Sequence, residues 1–212
     1  MITKEEFINK VALAESRRDY LQIVRKYILH GVPTVFEGKE DCYFDFRSKI
    51  AGYFNIGFHE VFIVSSAKLG YSYHKESVFS LNSDIDVVLV NEKLFEDFYF
   101  NICQYQYDLD KGDVNPDLNQ RKKYESFLRY LIKGWMRPDM LPVQIKNRAI
   151  KNEWFEFFKS ISYGKSSVGD YKVAGGLFKN YSYLEEYYIE SLMKINKINN
   201  NYGKANTINT NK

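Results

Sequence analysis

Val61-Phe62-Ile63-Val64-Ser65-Ser66-Ala67-Lys68-Leu69-Gly70 and Ser83-Asp84-Ile85-Asp86-Val87-Val88-Leu89-Val90 are the two stretches whose reading decides the fold. Each opens or closes on a short, apolar, β-branched run, the mark of a buried strand. Side chains alternate faces along a strand, so Asp84 and Asp86 point one way while Ile85 and Val87 enter a core on the other. Two carboxylates on one face of an otherwise apolar strand are costly unless a cation or a set of donors neutralises them, and the strand itself carries no Arg or Lys. The spacing along the strand is roughly 6.5 Å, a span suited to gripping one Mg²⁺ or bridging two ions. Mg²⁺ takes one or two carboxylates and completes its octahedron with water and substrate phosphates. Upstream, Ser65 and Ser66 ahead of a helix-compatible Ala67-Lys68-Leu69 would offer hydroxyls and free amides to a phosphate.

A strand, a small-residue turn, a spacer and a strand bearing Asp-x-Asp resemble the nucleotidyltransferase superfamily typified by DNA polymerase beta. The resemblance spans about residues 40–180 in the order of elements and residues 61–90 at the level of motif. Two departures stand out: Ser65 occupies the place usually held by glycine, and the spacer from Ser66 to Asp84 is long. What the resemblance implies is a Mg²⁺- or Mn²⁺-dependent enzyme in which Asp84 and Asp86 hold the metal and Ser65, Ser66 and Lys68 orient the triphosphate. A third acid would activate the acceptor hydroxyl, Asp170 being the first candidate and Asp139 the reserve. The Ser-Ser-Ala-Lys-Leu-Gly-Tyr-Ser turn and long spacer are also similar to the Hailong anti-phage nucleotidyltransferases. That similarity implies untemplated synthesis of nucleotide or deoxynucleotide oligomers that control a membrane effector protein in bacterial defence. The alternatives are a catalytically degenerate protein that binds a nucleotide or a partner, an antitoxin-type transferase that modifies a partner protein, and a strand end that is merely solvated.

The rest of the chain fits an α+β (α/β) fold in which a small mixed sheet carries the Ser-Ser turn and the Asp-x-Asp strand, flanked by helices. With 212 residues and 45% hydrophobic content there is ample material for one compact unit. No apolar run reaches the ~20 residues needed to span a bilayer, and Thr3-Lys4-Glu5-Glu6 does not open a leader peptide, so the expected location is the cytoplasm. Cys42 and Cys103 are expected as reduced thiols, and His30, His59 and His74 have no zinc-site spacing. Between Glu76 and Asp117 ten acids face two bases, a net −8, whereas from Arg121 to Lys165 eleven bases face four acids, a net +7. An acidic, metal-holding half opposite a basic half suits a polyphosphate substrate, although solvated helix faces have the same composition.

In chain order, Thr3 and Glu6 form a capping box ahead of an apolar stripe that ends at Gly31-Val32-Pro33. A helix is expected from Asp41 to Phe54, and Tyr71 to Leu81 is a loop long enough for a lid. Asn91 caps a helix from Glu92 to about Tyr107, followed by a polar loop through Pro116. Further helices are expected over Asp117 to Lys133 and Gln144 to Ile161, joined by a connector from Met136 to Pro142. Tyr171 to Phe178 is the third strand, with glycines that permit close backbone approach. Ser182 and Glu185 open a last helix to about Ile195, closing a domain of residues 1–196. Residues 197–212, Asn-rich and basic, are expected to be a disordered tail. Tyr202, about seven residues past that helix, could reach about 25 Å and serve as the first acceptor hydroxyl, with Thr207 and Thr210 in reserve.

Overall fold

The computed structural model describes residues 2–75, 77–141 and 148–209, with the side chains of residues 148–150 and 199–209 outside the description. The chain begins with α1 (Lys4–Ala12), whose Thr3 side chain accepts from the Glu6 amide at 3.2 Å while the Glu6 carboxylate accepts from the Thr3 amide at 3.0 Å. This is the capping box read from the sequence. A second box, Ser16 with Asp19, starts α2 (Arg17–Ile23), which continues as a π-helical turn to Leu29. Then follow α3 (Glu40–Phe54), β1 (Val61–Val64), the short α4 (Ser65–Leu69) and β2 (Ile85–Val90). After β2 come α5 (Glu92–Lys111), α6 (Leu118–Leu131), β3 (Trp135–Met136), α7 (Arg148–Ser160), β4 (Val173–Phe178) and α8 (Tyr181–Asn209). None of the described helices is long and apolar enough to cross a membrane.

The four strands make one mixed sheet in the order β1-β2-β4-β3: β2 runs antiparallel to β1 and parallel to β4, and β3 is antiparallel to β4. This is the expected α+β architecture, with the two motif strands side by side. Strand alternation divides the interior in two. Ile63, Ile85, Val87, Leu89 and Leu177 face α3, α5, α6 and α7 across a core that holds Phe46, Phe98, Phe127 and Trp154. Val64, Val88, Val90 and Phe178 face the opposite way, onto Phe7, Val24, Leu184, Tyr188 and Leu192 of the N-terminal helices and α8. Asp84 and Asp86 have the parity of Val88 and Val90, so they belong to this second face. Burying four or five such aliphatic and aromatic side chains stabilises each side by about 1.5–3 kcal/mol per fully buried residue.

Several boundaries differ from the sequence reading. The helix after Asn91 does not end near Tyr107 but runs to Lys111, because Asp108 is buried and Leu109 packs on the core, and it stops where Gly112 takes φ 78°. The connector after Gly134 contains a strand, β3, that pairs with Leu177 and Phe178. The last helix is capped by Asn180, whose side chain accepts from the Ser182 amide at 3.1 Å, rather than by Ser182. Its backbone also continues to Asn209, past the end expected near Ile195. Asparagine is a modest helix former, but the segment holds no proline, so a helix nucleated by packing further back can propagate.

Candidate active site

The site forms where β1 ends. Val64 lies opposite Asp86 in the antiparallel ladder, so the residues that follow Val64 turn directly across from the start of β2. Ser65 makes that turn with φ 58°, a left-handed conformation that glycine adopts freely and serine only at a cost of about 1–2 kcal/mol. The turn is thus a glycine-type backbone that carries a serine side chain. That hydroxyl acts on the titration of both the Asp86 carboxylate and the Tyr188 phenol, in each case opposing the rise that burial causes. Asp86 is largely withdrawn from solvent, and burial raises its pKa above the usual carboxylate range; the Ser65 hydrogen bond opposes the shift and the Asp84 charge reinforces it. Asp84 is more exposed and is paired with Lys172, Nζ to Oδ2 at 2.8 Å.

Two cavities meet over these residues and share Ser65, Asp84, Asp86, Tyr187 and Tyr188 as a common wall. The first, about 730 Å³, is lined mainly by hydroxyls of Ser66, Ser72, Ser77 and Ser80 together with His74 and Lys75. Its outer wall is the loop anticipated between Tyr71 and Leu81. That loop is fastened by the Phe79 amide on the Gly70 carbonyl at 2.9 Å, by Lys4 Nζ on the Lys75 carbonyl at 3.1 Å, and by His74 Nε2 beside Ser191 Oγ at 3.1 Å. The second cavity, about 810 Å³, opens along β4, which β3 covers only at Leu177 and Phe178. Its lining combines aromatic rings, Trp135, Phe155 and Tyr163, with the cations Arg137, Lys159 and Lys172. Here the acidic and basic halves of the chain do meet.

The predicted residues divide into those brought together and those held elsewhere. Ser65, Ser66, Asp84 and Asp86 converge. Lys68 does not: it is 6% exposed and lines neither cavity, its ammonium donating to the His30 carbonyl, to Gly31 at 2.8 Å and to Val32 at 3.5 Å. Burial draws its pKa down to about 8, while three carbonyl acceptors favour the charged form. Lys68 therefore ties the loop that follows the π-helical turn to the start of the site, and it is not placed to grip a triphosphate. Lys68→Met should cost about 1–3 kcal/mol of stability by orphaning these carbonyls and leave nucleotide affinity unchanged; urea unfolding and a binding titration check both halves.

Asp170 is exposed ahead of β4 and lines neither cavity. Asp139, the reserve acid, does face the second cavity, where Arg137 grips it at 3.2 and 2.8 Å. Tyr202 and Thr207 lie on the distal backbone of α8, their side chains outside the description, and Thr210 lies outside the described residues. Sequence reasoning missed Lys172, Arg137, Lys159, Tyr187 and Tyr188 as site residues. The charge count contained Arg137 and Lys159 but could not aim them, and nothing in the spacing distinguished Tyr187 from the other tyrosines.

The donor set fits the implied metal in kind. Asp84 and Asp86 are hard oxygen donors, the serine hydroxyls lie beside them, and the space above is open and polar enough for phosphates to complete the shell. Among the described residues, no group of three or more His, Cys, Asp or Glu forms a cage made by the protein alone. Compared with known proteins, the chain matches no family model, no curated protein and no solved structure.

Proposed function

We propose that the protein transfers a nucleotidyl group from a nucleoside or deoxynucleoside triphosphate to a hydroxyl, in a reaction dependent on Mg²⁺ or Mn²⁺. The observation that carries this reading is the shared wall: the left-handed Ser65 turn and the Asp84/Asp86 pair sit where two cavities meet, so that two substrates can approach one pair of carboxylates, one from each cavity. The hydroxyl-lined side suits the triphosphate, with Ser65 and Ser66 donating to its oxygens and Lys75 adding charge. The aromatic and cationic side suits the acceptor, held by Arg137 and Lys159 with rings such as Tyr163 available for stacking. A divalent ion on Asp84 and Asp86 supplies the charge neutralisation that phosphoryl chemistry needs. The acceptor oxygen attacks the α-phosphorus in line, loses its proton, and displaces pyrophosphate. Of the two acids considered for receiving that proton, Asp139 is the better placed.

In line with the resemblance, repeated transfer without a template would build oligomers that a membrane effector reads in anti-phage defence, primed on Tyr202 of the protein itself. The test is incubation of the full chain with each labelled NTP and dNTP and Mg²⁺ or Mn²⁺, resolved on a gel beside intact-mass analysis. Whole-nucleotide additions to a C-terminal peptide, lost on truncation at Asn196, are expected. Free oligomers with unmodified protein would remove the self-priming step and keep the transferase. A second reading, a nucleotide- or partner-binding protein without chemistry, is favoured by the absence of an acid on the site face of β4 beside Asp86, where Ala174 stands. Nucleotide bound but never incorporated would select it. Incorporation only into an added partner protein would select an antitoxin-type transferase.

A further inference from the structure

The strand next to the acid pair carries a cation instead of a third acid. In the parallel ladder Asp86 lies beside Ala174 and Ile85 beside Val173, and the Ile85 amide donates to the Lys172 carbonyl at 2.8 Å, so Asp84 lies beside Lys172. Paired residues share a face of the sheet. The Lys172 ammonium accordingly reaches Asp84 at 2.8 Å, with both side chains about half exposed. Asp139, the other carboxylate facing the second cavity, is already held by Arg137.

The lining of that cavity contains three acids, Asp84, Asp86 and Asp139, against three bases, Arg137, Lys159 and Lys172. Among the described residues, only Asp86 of the three acids makes no ion pair. Without a polyphosphate to share them, two divalent ions about 3.5–4 Å apart repel one another and have to be held by a surplus of carboxylate charge. Here the protein supplies no surplus.

We propose that the site is built for one divalent cation, and that the Lys172 ammonium provides from β4 the positive charge a second ion would bring. In the free protein Lys172 rests on Asp84. When the cation takes Asp84, the ammonium moves to an anionic oxygen of the substrate, a phosphate on the second-cavity side. The partner of Lys172 in that state rests on the nucleotidyl-transfer reading; the count of ions and the competition for Asp84 do not.

The experiment is a Mn²⁺ titration of the full chain without nucleotide, with free ion followed by electron paramagnetic resonance and the fold of each variant checked by circular dichroism. One Mn²⁺ per chain is expected. Lys172→Gln, which removes the competitor for Asp84, should tighten binding about fivefold. Lys172→Arg, which keeps the charge, should stay within twofold of the native chain, and Asp84→Asn should lose most of the affinity. Two equivalents in the native chain, none at millimolar Mn²⁺, or a Lys172→Gln variant no tighter than native would each overturn the proposal. One ion with the Lys172 effect intact, but no incorporation of any nucleotide, would remove the transferase reading alone. Incorporation with two bound ions would remove this proposal alone.

Discussion

Replacing Asp84 and Asp86 together by alanine should abolish the proposed nucleotidyl transfer and leave the fold at least as stable at neutral pH. The loss in rate should be at least about 1,000-fold, since metal-assisted charge stabilisation is worth several kcal/mol and each 1.36 kcal/mol is a factor of ten. The stability half follows from the sign of the Asp86 shift. Its folded pKa is raised, chiefly by burial, so the folded state binds the proton more tightly than the unfolded one. That contribution is fully present below the unfolded pKa of about 3.8 and is lost as the pH rises through the raised value. Once ionised, the largely buried Asp86 is a liability to the folded state, which alanine removes. The accompanying loss of the Asp84–Lys172 pair subtracts at most about 1 kcal/mol, because both partners are half exposed. Urea unfolding at pH 7 and at pH 4, beside a transfer assay, measures both effects. A double variant that still transfers nucleotide at the native rate would show that these acids are not the metal ligands.

The second large effect falls on Gly175→Ala. A methyl group built there would lie 2.2 Å from Cε2 and Cζ of Phe158 and 2.9 Å from Cδ2, well inside contact distance. Phe158 has little room to retreat: its ring centroid lies 5.1 Å from that of Trp154, 5.4 Å from Phe157 and 5.8 Å from Phe54. Either α7 or β4 has to move, and overpacking of this kind costs about 1–3 kcal/mol and sometimes more; the upper end is expected. Gly175 pairs with Val87, so displacement of β4 also disturbs the strand that carries Asp86, and activity should fall along with the urea midpoint. Gly176→Ala is the contrast. Its methyl group would meet only the Trp135 indole nitrogen, at 3.1 Å, and a milder loss is expected. Equal stability of Gly175→Ala and the native chain would mean that Phe158 is far less constrained than its neighbours suggest.

Local signals were legible in the sequence, and long-range ones were not. Thr3 with Glu6 and Asn91 announced their helices because each cap is satisfied within three residues. The two motif strands were visible through their β-branched runs, and the parity of Asp84 and Asp86 followed from alternation alone. Lys68 was misplaced because its acceptors, His30 to Val32, lie 36 to 38 residues upstream, and no local pattern foretells that contact. The third acid was sought at Asp170, whereas Lys172 sits beside Asp84: sequence gives the existence of β4 but not its register on β2. β3 escaped because two residues carry too little periodicity to register as a strand.

The division of the interior also orders events during synthesis. The face opposite the acids is built from residues 36–177, most of which are contiguous along the chain. The acid-bearing face needs Phe7, Val11 and Val24 from the beginning together with Leu184, Tyr188 and Leu192 from α8. These segments are separated by about 160 residues, and the closure entropy of so long a loop has to be met before their contacts stabilise anything. The N-terminal helices can meet β1, α4 and β2 first, but the part of their apolar stripe that α8 covers stays open until the ribosome has released that helix. Tyr187 and Tyr188, the common wall of both cavities, arrive on that same helix, so a nascent chain carries its acid pair long before it has a site able to use it.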